Sequence, residues 1–215
     1  MLLTSSSFDH DQPIPEKFAF GAPDEAQHMR LSENHNPQLS WSGLPAGTRT
    51  LVLLCVDTDV PTKPDDVNQE GRSVPASLPR GEFYHWVMVD IPTSLNEIAA
   101  GSCSGGIVAG GKSSPAGPAG SRQGQNDYTG WFAGDPEMGG TYLGYDGPCP
   151  PWNDELVHHY RFTLYATDLD RCPVEGPFTG QQVRDAIEGH VLAEASYTGT
   201  YSLNPAVSQA RALGR

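Results

Sequence analysis

Basic residues are scarce in this sequence. Only 13 of its 215 residues are Lys or Arg, against 26 Asp or Glu, so the formal net charge is −13. Such a charge repels the phosphates of nucleic acids and the surface of anionic membranes. Binding to nucleic acid and stable association with a membrane are therefore not expected. A few oriented N–H groups could still bind a small anion locally.

Long hydrophobic runs are missing as well. No stretch approaches the roughly 18 apolar residues of a membrane-spanning helix. The first residues, MLLTSSSFDHDQP, lack the basic start and apolar segment of a secretion signal. The four cysteines lie far apart and form no CxxC pair, a pattern that favours reduced structural thiols. We therefore expect a cytoplasmic protein.

Several catalytic motifs are absent too. The sequence contains no Gly-x-Ser-x-Gly elbow and no His-Glu-x-x-His, and GGKSS lacks the first glycine of a phosphate-binding loop. His158 and His159 are neighbours, so on a strand they would point to opposite faces and could not share a zinc ion. These observations predict a non-enzymatic protein with no catalytic residues, no metal site and no cofactor.

Turn-forming residues are abundant, with 24 Gly and 19 Pro, and they separate four runs rich in β-branched and aromatic residues. These runs predict strands at 49–59, 83–92, 158–169 and 194–203. One helix is predicted after Thr179, where Gln182 completes a capping box and Gly189 provides a stop. Together they predict a mainly β protein, an antiparallel β-sandwich with one or two short peripheral helices near the C-terminus.

One domain over residues 1–215 is expected from the length. Three stretches with few structure signals are predicted to be variable loops, at 62–82, 101–121 and 129–141. The second is close to low complexity and is expected to be mobile. The third contains Trp131, whose apolar ring would need covering, so a homodimer is a reasonable expectation.

Alternation along the strands places polar residues on apolar faces. His158 and Tyr160 share a face with Phe162, and Asp57 continues the row that contains Cys55. By the same count, His85 shares a face with Val87, Val89 and Ile91. Alternation alone allows these residues to be ordinary core residues or to converge on a pocket at one end of the core.

Three motifs decide between those readings. They are DTDVP at 57–61, HWV at 85–87, and GPCPP at 147–151 followed by HHY at 158–160. In this order and in these strand contexts, they resemble the phosphatidylethanolamine-binding protein family, also described as Raf kinase inhibitor-like, and its bacterial branch. The likeness runs from Ser7 to about Leu203. Thr58 stands where the family usually has Pro, and His159 where it usually has Arg.

The resemblance implies a β-sandwich with a small pocket for phosphate or a phosphorylated head-group. The implied binding residues are Asp57, His85, Gly147, Pro150, Pro151, His158 and Tyr160. We expect the Gly/Pro loop to aim successive backbone N–H groups at the anion, and His158 and Tyr160 to donate to its oxygens. Asp57 is expected to pair with a doubly protonated His85, so that binding tightens below about pH 6.5.

The resemblance also leaves more than one function open. The favoured hypothesis is a binding protein for a small anion, with a regulator of signalling as one form that such a protein takes. Alternatives are an inhibitor that contacts a kinase or a serine protease through the pocket rim, and a weak hydrolase that uses Asp57 and His85. A phospholipid carrier would need an apolar chamber, which the small pocket is not expected to provide. The insert at 62–82 could cover or extend the pocket mouth.

Overall fold

The computed structural model of the protein describes residues 1–212. Its elements in chain order are β1 (Leu2–Thr4), a 3-10 helix (Glu16–Phe18), β2 (Gly21–Asp24), β3 (His28–Leu31), β4 (Leu39–Ser42), β5 (Thr50–Pro61), β6 (Arg80–Pro92), β7 (Glu97–Ile98), β8 (Arg122–Gln123), α1 (Tyr128–Trp131), β9 (His158–Thr167), α2 (Gly180–Ile187), β10 (Val191–Tyr201) and α3 (Pro205–Ala212). No helix within 1–212 has the length and apolar character needed to cross a bilayer.

The main layer is a five-stranded antiparallel sheet in the order β10–β9–β5–β6–β8. Its central strand β5 is buried on both faces from Thr50 to Asp57, as its continuous apolar run predicts. A smaller sheet, in the order β1–β4–β7, packs its apolar side chains against one face of the main sheet. The predicted antiparallel β-sandwich is confirmed.

The opposite face of the main sheet is covered by α2. Val183 and Ile187 pack there against Val52 and Leu54 of β5 in a second apolar cluster. The predicted capping box at Thr179 is confirmed, because the Thr179 hydroxyl accepts from the N–H of Gln182 at 3.2 Å and the Gln182 side chain accepts from the Thr179 N–H at 2.9 Å. The two apolar clusters therefore lie on opposite faces of the same three strands, β5, β6 and β9.

Several short elements were not predicted. Strands β1 to β4, β7 and β8 have two to four residues each, too few to show a clear alternation. The helix α1 has four residues and lies at the edge of the third predicted loop. These elements form because long-range pairing and packing supply the stability that local propensity lacks.

The three predicted loops are anchored to the sandwich. The first spans 62–79, since β6 begins at Arg80, and it forms backbone hydrogen bonds to the segment 153–155. In the second, Lys112 donates to the carbonyl of Tyr145 at 3.0 Å and to the carboxylate of Asp146 at 2.6 Å. In the third, the carbonyl of Met138 accepts from the hydroxyl of Tyr142 at 2.7 Å, so each loop is held to a neighbouring segment.

Candidate functional site

A pocket of about 400 Å³ opens at one end of the main sheet, lined by residues of β3, β5, β6, β9 and the loops around them. Asp57, His85, His158 and Tyr160 line it, and each is at most 3 % exposed. Asp57 of β5 lies directly opposite Tyr160 of β9 in the strand register. The structure therefore brings together four of the residues that the sequence proposed, and they form the buried end of the pocket.

The alternation predicted on β9 and β5 is confirmed. His158, Tyr160 and Phe162 are buried, whereas His159 and Arg161 between them are exposed. Asp57 continues the row of core residues that contains Cys55. Strand periodicity alone was thus sufficient to place three of the four polar side chains on the pocket side.

His85 reaches the pocket by a different route. Cys55 pairs with Trp86 and Val56 pairs with Tyr84, so His85 is the extra residue of a β-bulge. A bulge breaks the alternation and re-aims the side chain at that point. The prediction that His85 shares a face with Val87 and Val89 is wrong for this reason, because those two valines pack in the cluster beneath α2.

His158 lies between two buried carboxylates. Its Nδ1 is 2.7 Å from Asp57 Oδ2, and its Nε2 is 3.1 Å from Asp154 Oδ2. Asp154 in turn accepts two hydrogen bonds from Arg80, at 2.6 and 3.0 Å. Two positive and two negative side chains thus alternate in a buried row, which we call the charge row (Asp57, His158, Asp154 and Arg80). Their formal charges sum to zero.

The charge row holds His158 protonated. Burial alone would lower the pKa of His158, but the charges and hydrogen bonds of Asp57 and Asp154 outweigh burial and raise that pKa to about 9. Burial likewise works to raise the pKa of Asp57, and the imidazolium of His158 reverses this effect, so the pKa of Asp57 is lowered. Burial also works to raise the pKa of Asp154, but hydrogen bonds from His158 and Arg80 lower it, so both carboxylates are ionised and His158 is cationic at neutral pH.

Two predicted roles are wrong in light of this geometry. His158 does not offer a donor to a ligand, because both of its ring nitrogens are engaged by carboxylates. Asp57 is paired with His158 and not with His85, whose Nδ1 lies 2.7 Å from the backbone carbonyl of Asp146 and donates to it. Sequence alternation placed these side chains in one pocket but could not decide which of them touch.

The raised pKa of His158 makes a prediction about stability. Well below pH 6.5, the ordinary pKa of a histidine, the folded and unfolded states are both protonated and the contribution is complete. Above it the unfolded chain loses the proton first, so the free energy of unfolding should fall by up to about 1.4 kcal/mol per pH unit until about pH 9. Urea denaturation at pH 6 and pH 9 measures the decline, and a His158→Leu variant should lack it. An equal decline in both proteins would contradict this assignment.

His85 is the second titratable group at the buried end. Its ring lies among aromatic rings, with centroid distances of 4.8 Å to Phe83, 5.5 Å to Tyr128 and 5.1 Å to Tyr160. Burial lowers the pKa of His85, and the charge of Asp57 only partly opposes that effect. The doubly protonated resting form expected from the sequence is therefore wrong. Neutral His85 donates from Nδ1 to Asp146, and its Nε2 forms no hydrogen bond within residues 1–212.

Tyr160 supplies the other open polar atom. Its side chain is buried, and within the described part of the chain its hydroxyl has no hydrogen-bond partner. Burial raises the pKa of Tyr160 well above its ordinary value, followed by the charge of the nearby Asp57 carboxylate and an interaction of the hydroxyl with that carboxylate, which does not reach hydrogen-bond geometry. The hydroxyl thus keeps its proton. A buried hydroxyl without a partner is costly, so Tyr160 is an available donor at the end of the pocket.

The Gly/Pro loop does not act as predicted. Pro148, Pro150 and Pro151 have no N–H, and the N–H of Gly147 donates to the side chain of Asn34 at 2.8 Å. A row of backbone donors is therefore impossible in this loop, and Gly147 is not among the residues that line the pocket. Pro150 and Pro151 do line it, together with Cys149, and they act as apolar wall.

The wider pocket is apolar, which corrects the expectation that no apolar chamber is present. The loop 62–79 contributes Pro64 and Val67, and the loop 129–141 contributes Trp131, Phe132 and Met138. Further apolar side chains come from β3, β6 and the Gly/Pro loop. The two variable loops are thus walls of the site.

A layer of polar residues behind the pocket was missed by sequence reasoning. The carboxylate of Asp146 accepts hydrogen bonds from Asn34 at 2.7 Å, Lys112 at 2.6 Å and Asn126 at 2.8 Å. This network fixes the Asp146 carbonyl that orients His85. These residues lie in loops without periodicity, as does Asp154, so no strand or helix pattern could have pointed to them.

Comparison with known proteins agrees with this architecture. A family model described as phosphatidylethanolamine-binding protein matches residues 4–202. A UPF0098 protein of Methanothermobacter thermautotrophicus is 36 % identical over 171 residues, which cover 79 % of this chain and 83 % of that protein. The UPF0098 protein YbhB of Escherichia coli is 31 % identical with the same coverage of both chains.

Solved structures show the same fold. The phosphatidylethanolamine-binding protein homologue CT736 of Chlamydia trachomatis superposes with a TM-score of 0.62 at 27 % identity, covering 94 % of this chain and 96 % of that one. YbcL of Escherichia coli superposes with a TM-score of 0.64 at 23 % identity, covering 94 % and 97 %, and at that identity it speaks for the fold alone. With the family match over nearly all of its length, the chain belongs to the phosphatidylethanolamine-binding protein family.

Proposed function

We propose that this protein binds, without turning it over, a small ligand whose anionic group, phosphate or a phosphorylated head-group, occupies the buried end of the pocket. One observation carries the proposal. The buried hydroxyl of Tyr160 has no partner within residues 1–212, and it belongs to a ring 5.1 Å from that of His85, whose Nε2 is also open. A ligand oxygen that accepts from Tyr160 would remove a cost of roughly 1–3 kcal/mol.

The protonation of His85 determines which form of phosphate fits. Neutral His85 has used its only N–H on the carbonyl of Asp146, so its Nε2 can only accept. The monoanion of a phosphate monoester carries both a P–OH donor and charged acceptor oxygens, and its second pKa lies near 6. Its hydroxyl can donate to His85 while another oxygen accepts from Tyr160. If that proton moves onto Nε2 of His85, the total number of protons in the complex stays the same. Binding that starts from the phosphate dianion and neutral His85 therefore takes up one proton.

Asp57 does not forbid an anion at this position. Its carboxylate is part of the charge row, where His158 and Arg80 match the charges of Asp57 and Asp154. The ligand therefore meets a row with no net charge, and the cationic His158 offsets much of the repulsion from Asp57. The charge row also has no surplus positive charge to attract the anion. The hydrogen bonds from Tyr160 and to His85 should therefore dominate the recognition of the anionic group.

Titration calorimetry with inorganic phosphate tests the proposal. Tyr160→Phe removes only the hydroxyl, and we expect it to weaken binding at pH 6 by about 10- to 100-fold, the range of a hydrogen bond to a charged group. Wild-type affinity for ethyl phosphate, a monoester with a second pKa near 6, should be about tenfold or more higher at pH 5.5 than at pH 7.5, with proton uptake revealed by two buffers of different ionisation enthalpy. The control is Tyr165→Phe, since Tyr165 lies on the same strand and packs against the cluster beneath α2.

Two results would contradict the proposal. One is an affinity for phosphate that is unchanged in Tyr160→Phe, and the other is an affinity that stays flat or rises from pH 5.5 to pH 8. An inhibitor that contacts a kinase or protease only through the pocket rim would tolerate the loss of this hydroxyl. A hydrolase using Asp57 and His85 would release free phosphate from a bound ester, whereas a binding protein should return the ester intact.

A further inference from the structure

The pocket is much larger than its polar end. Its volume of about 400 Å³ falls in the roughly 300–1,000 Å³ range of clefts that enclose drug-sized molecules. A phosphate has only five heavy atoms, and a single water occupies about 30 Å³ in the liquid. An anionic group at Tyr160 would therefore leave most of the pocket to another part of the ligand.

The remaining space is walled by rings and thioethers. We call it the upper pocket, and its walls are Phe20, Met29, Leu31, Trp131, Phe132 and Met138. Phe20, Tyr128 and Phe132 form a triangular cluster of rings, with centroid distances of 4.6, 5.6 and 6.0 Å and interplanar angles of 19°, 15° and 34°. Aromatic rings and methionine sulfurs attract a further ring by about 0.3–1.5 kcal/mol beyond the burial of its area.

The mouth of the upper pocket exposes apolar surface. Leu31 and Trp131 line the pocket and are nonetheless 55 % and 52 % exposed. No Lys or Arg stands among the lining residues of the described chain, so a second anionic group on the ligand would find no cationic partner there. Both features favour an uncharged apolar body.

The walls are held in place by their own contacts. His28 stacks on Trp152 with a centroid distance of 3.9 Å, which ties the β2–β3 hairpin to the segment after the Gly/Pro loop. The side chain of Asn153 donates to the carbonyls of Asp66 at 2.8 Å and Arg72 at 3.1 Å, which fixes the loop 62–79. A pocket whose walls are already ordered loses little entropy when a rigid ligand enters.

We infer that the ligand of this pocket is an aryl anion: a planar aromatic ring seated in the upper pocket and joined to the anionic group at Tyr160 and His85. This inference rests on the proposed function, because the anionic group anchors the ring. It goes further by assigning the upper pocket to one chemical class. A ring gains the aromatic and sulfur contacts that a saturated group of equal size cannot make, and Trp131 can cover its outer edge.

Calorimetry at pH 6 with four phosphates tests the inference: inorganic phosphate, ethyl phosphate, cyclohexyl phosphate and phenyl phosphate. Each carbon buried should tighten binding by roughly fourfold, so cyclohexyl phosphate should bind more tightly than ethyl phosphate. Phenyl phosphate should exceed cyclohexyl phosphate by about 2- to 10-fold, since the two differ mainly in aromaticity. Trp131→Leu should reduce the preference for phenyl phosphate over cyclohexyl phosphate, whereas Leu192→Ala, an exposed site outside the pocket, should leave that preference unchanged.

The outcomes separate this inference from the proposed function. If inorganic phosphate binds through Tyr160 but phenyl phosphate binds no more tightly than cyclohexyl phosphate, the aryl assignment is overturned and the phosphate site stands. If all four phosphates bind equally, the upper pocket is not part of the ligand site. If none of them binds, both proposals are overturned.

Discussion

Replacing His158 with leucine is expected to cost about 3–5 kcal/mol of unfolding free energy at pH 6.5. The imidazolium lies between the carboxylates of Asp57 and Asp154, at 2.7 and 3.1 Å, and its side chain is 1 % exposed. Removing one partner of a buried ion pair leaves an uncompensated charge, which is far more costly than the loss of the attraction itself. Two buried carboxylates would lose their shared cation in this variant. Urea denaturation monitored by tryptophan fluorescence measures the change.

The neighbouring residue provides the control. His159 lies on the same strand and also pairs with an aspartate, with its Nδ1 2.9 Å from Asp59 Oδ2, but its side chain is 51 % exposed. Exposed pairs contribute about 0–1 kcal/mol, so His159→Leu should be nearly neutral. Adding Asp57→Asn to the His158→Leu variant should recover part of the loss, since it removes one of the stranded charges. Equal losses for His158→Leu and His159→Leu would show that the charge row contributes nothing.

Gly147→Ala is expected to destabilise the protein by about 1–3 kcal/mol, the usual cost of overpacking a close contact. A Cβ at position 147 would lie 2.1 Å from the carbonyl oxygen of Phe18 and 3.0 Å from the Tyr145 hydroxyl. That hydroxyl donates to the same Phe18 oxygen at 2.6 Å, so the added methyl group would also disturb a buried hydrogen bond. Thermal denaturation of the variant measures the effect.

The same variant distinguishes two roles for Gly147. If the glycine were needed for a ligand to approach the backbone, alanine would weaken phosphate binding in protein that remains folded. If it only allows two backbone segments to pack, stability should fall while folded protein keeps its affinity. Gly130→Ala is the control, because a Cβ there meets no atom within 4 Å and α1 should be unchanged or slightly stabilised. A large loss of stability in both variants would contradict this explanation.

Much of the fold could be predicted from local patterns. The alternation of His158, Tyr160 and Phe162 placed the first two in the core. The capping box at Thr179 predicted where α2 begins, since the helix starts at Gly180. Such patterns are readable because one face of each element is buried and the other is not. The short strands and the loop anchors were not predictable, since their partners are far apart in sequence.

The sequence by itself determined the sandwich, the family and the set of four polar residues at one end of the core, because burial periodicity and motif order are local properties of the chain. Only the tertiary structure decided what those residues do. A β-bulge aims His85, Asp154 arrives from a loop to share His158 with Asp57, and the loops 62–79 and 129–141 turn a small polar pocket into a deep apolar one. Hydrogen-bond partners, pKa shifts and cavity volume depend on contacts between distant segments, and those exist only after the chain has folded.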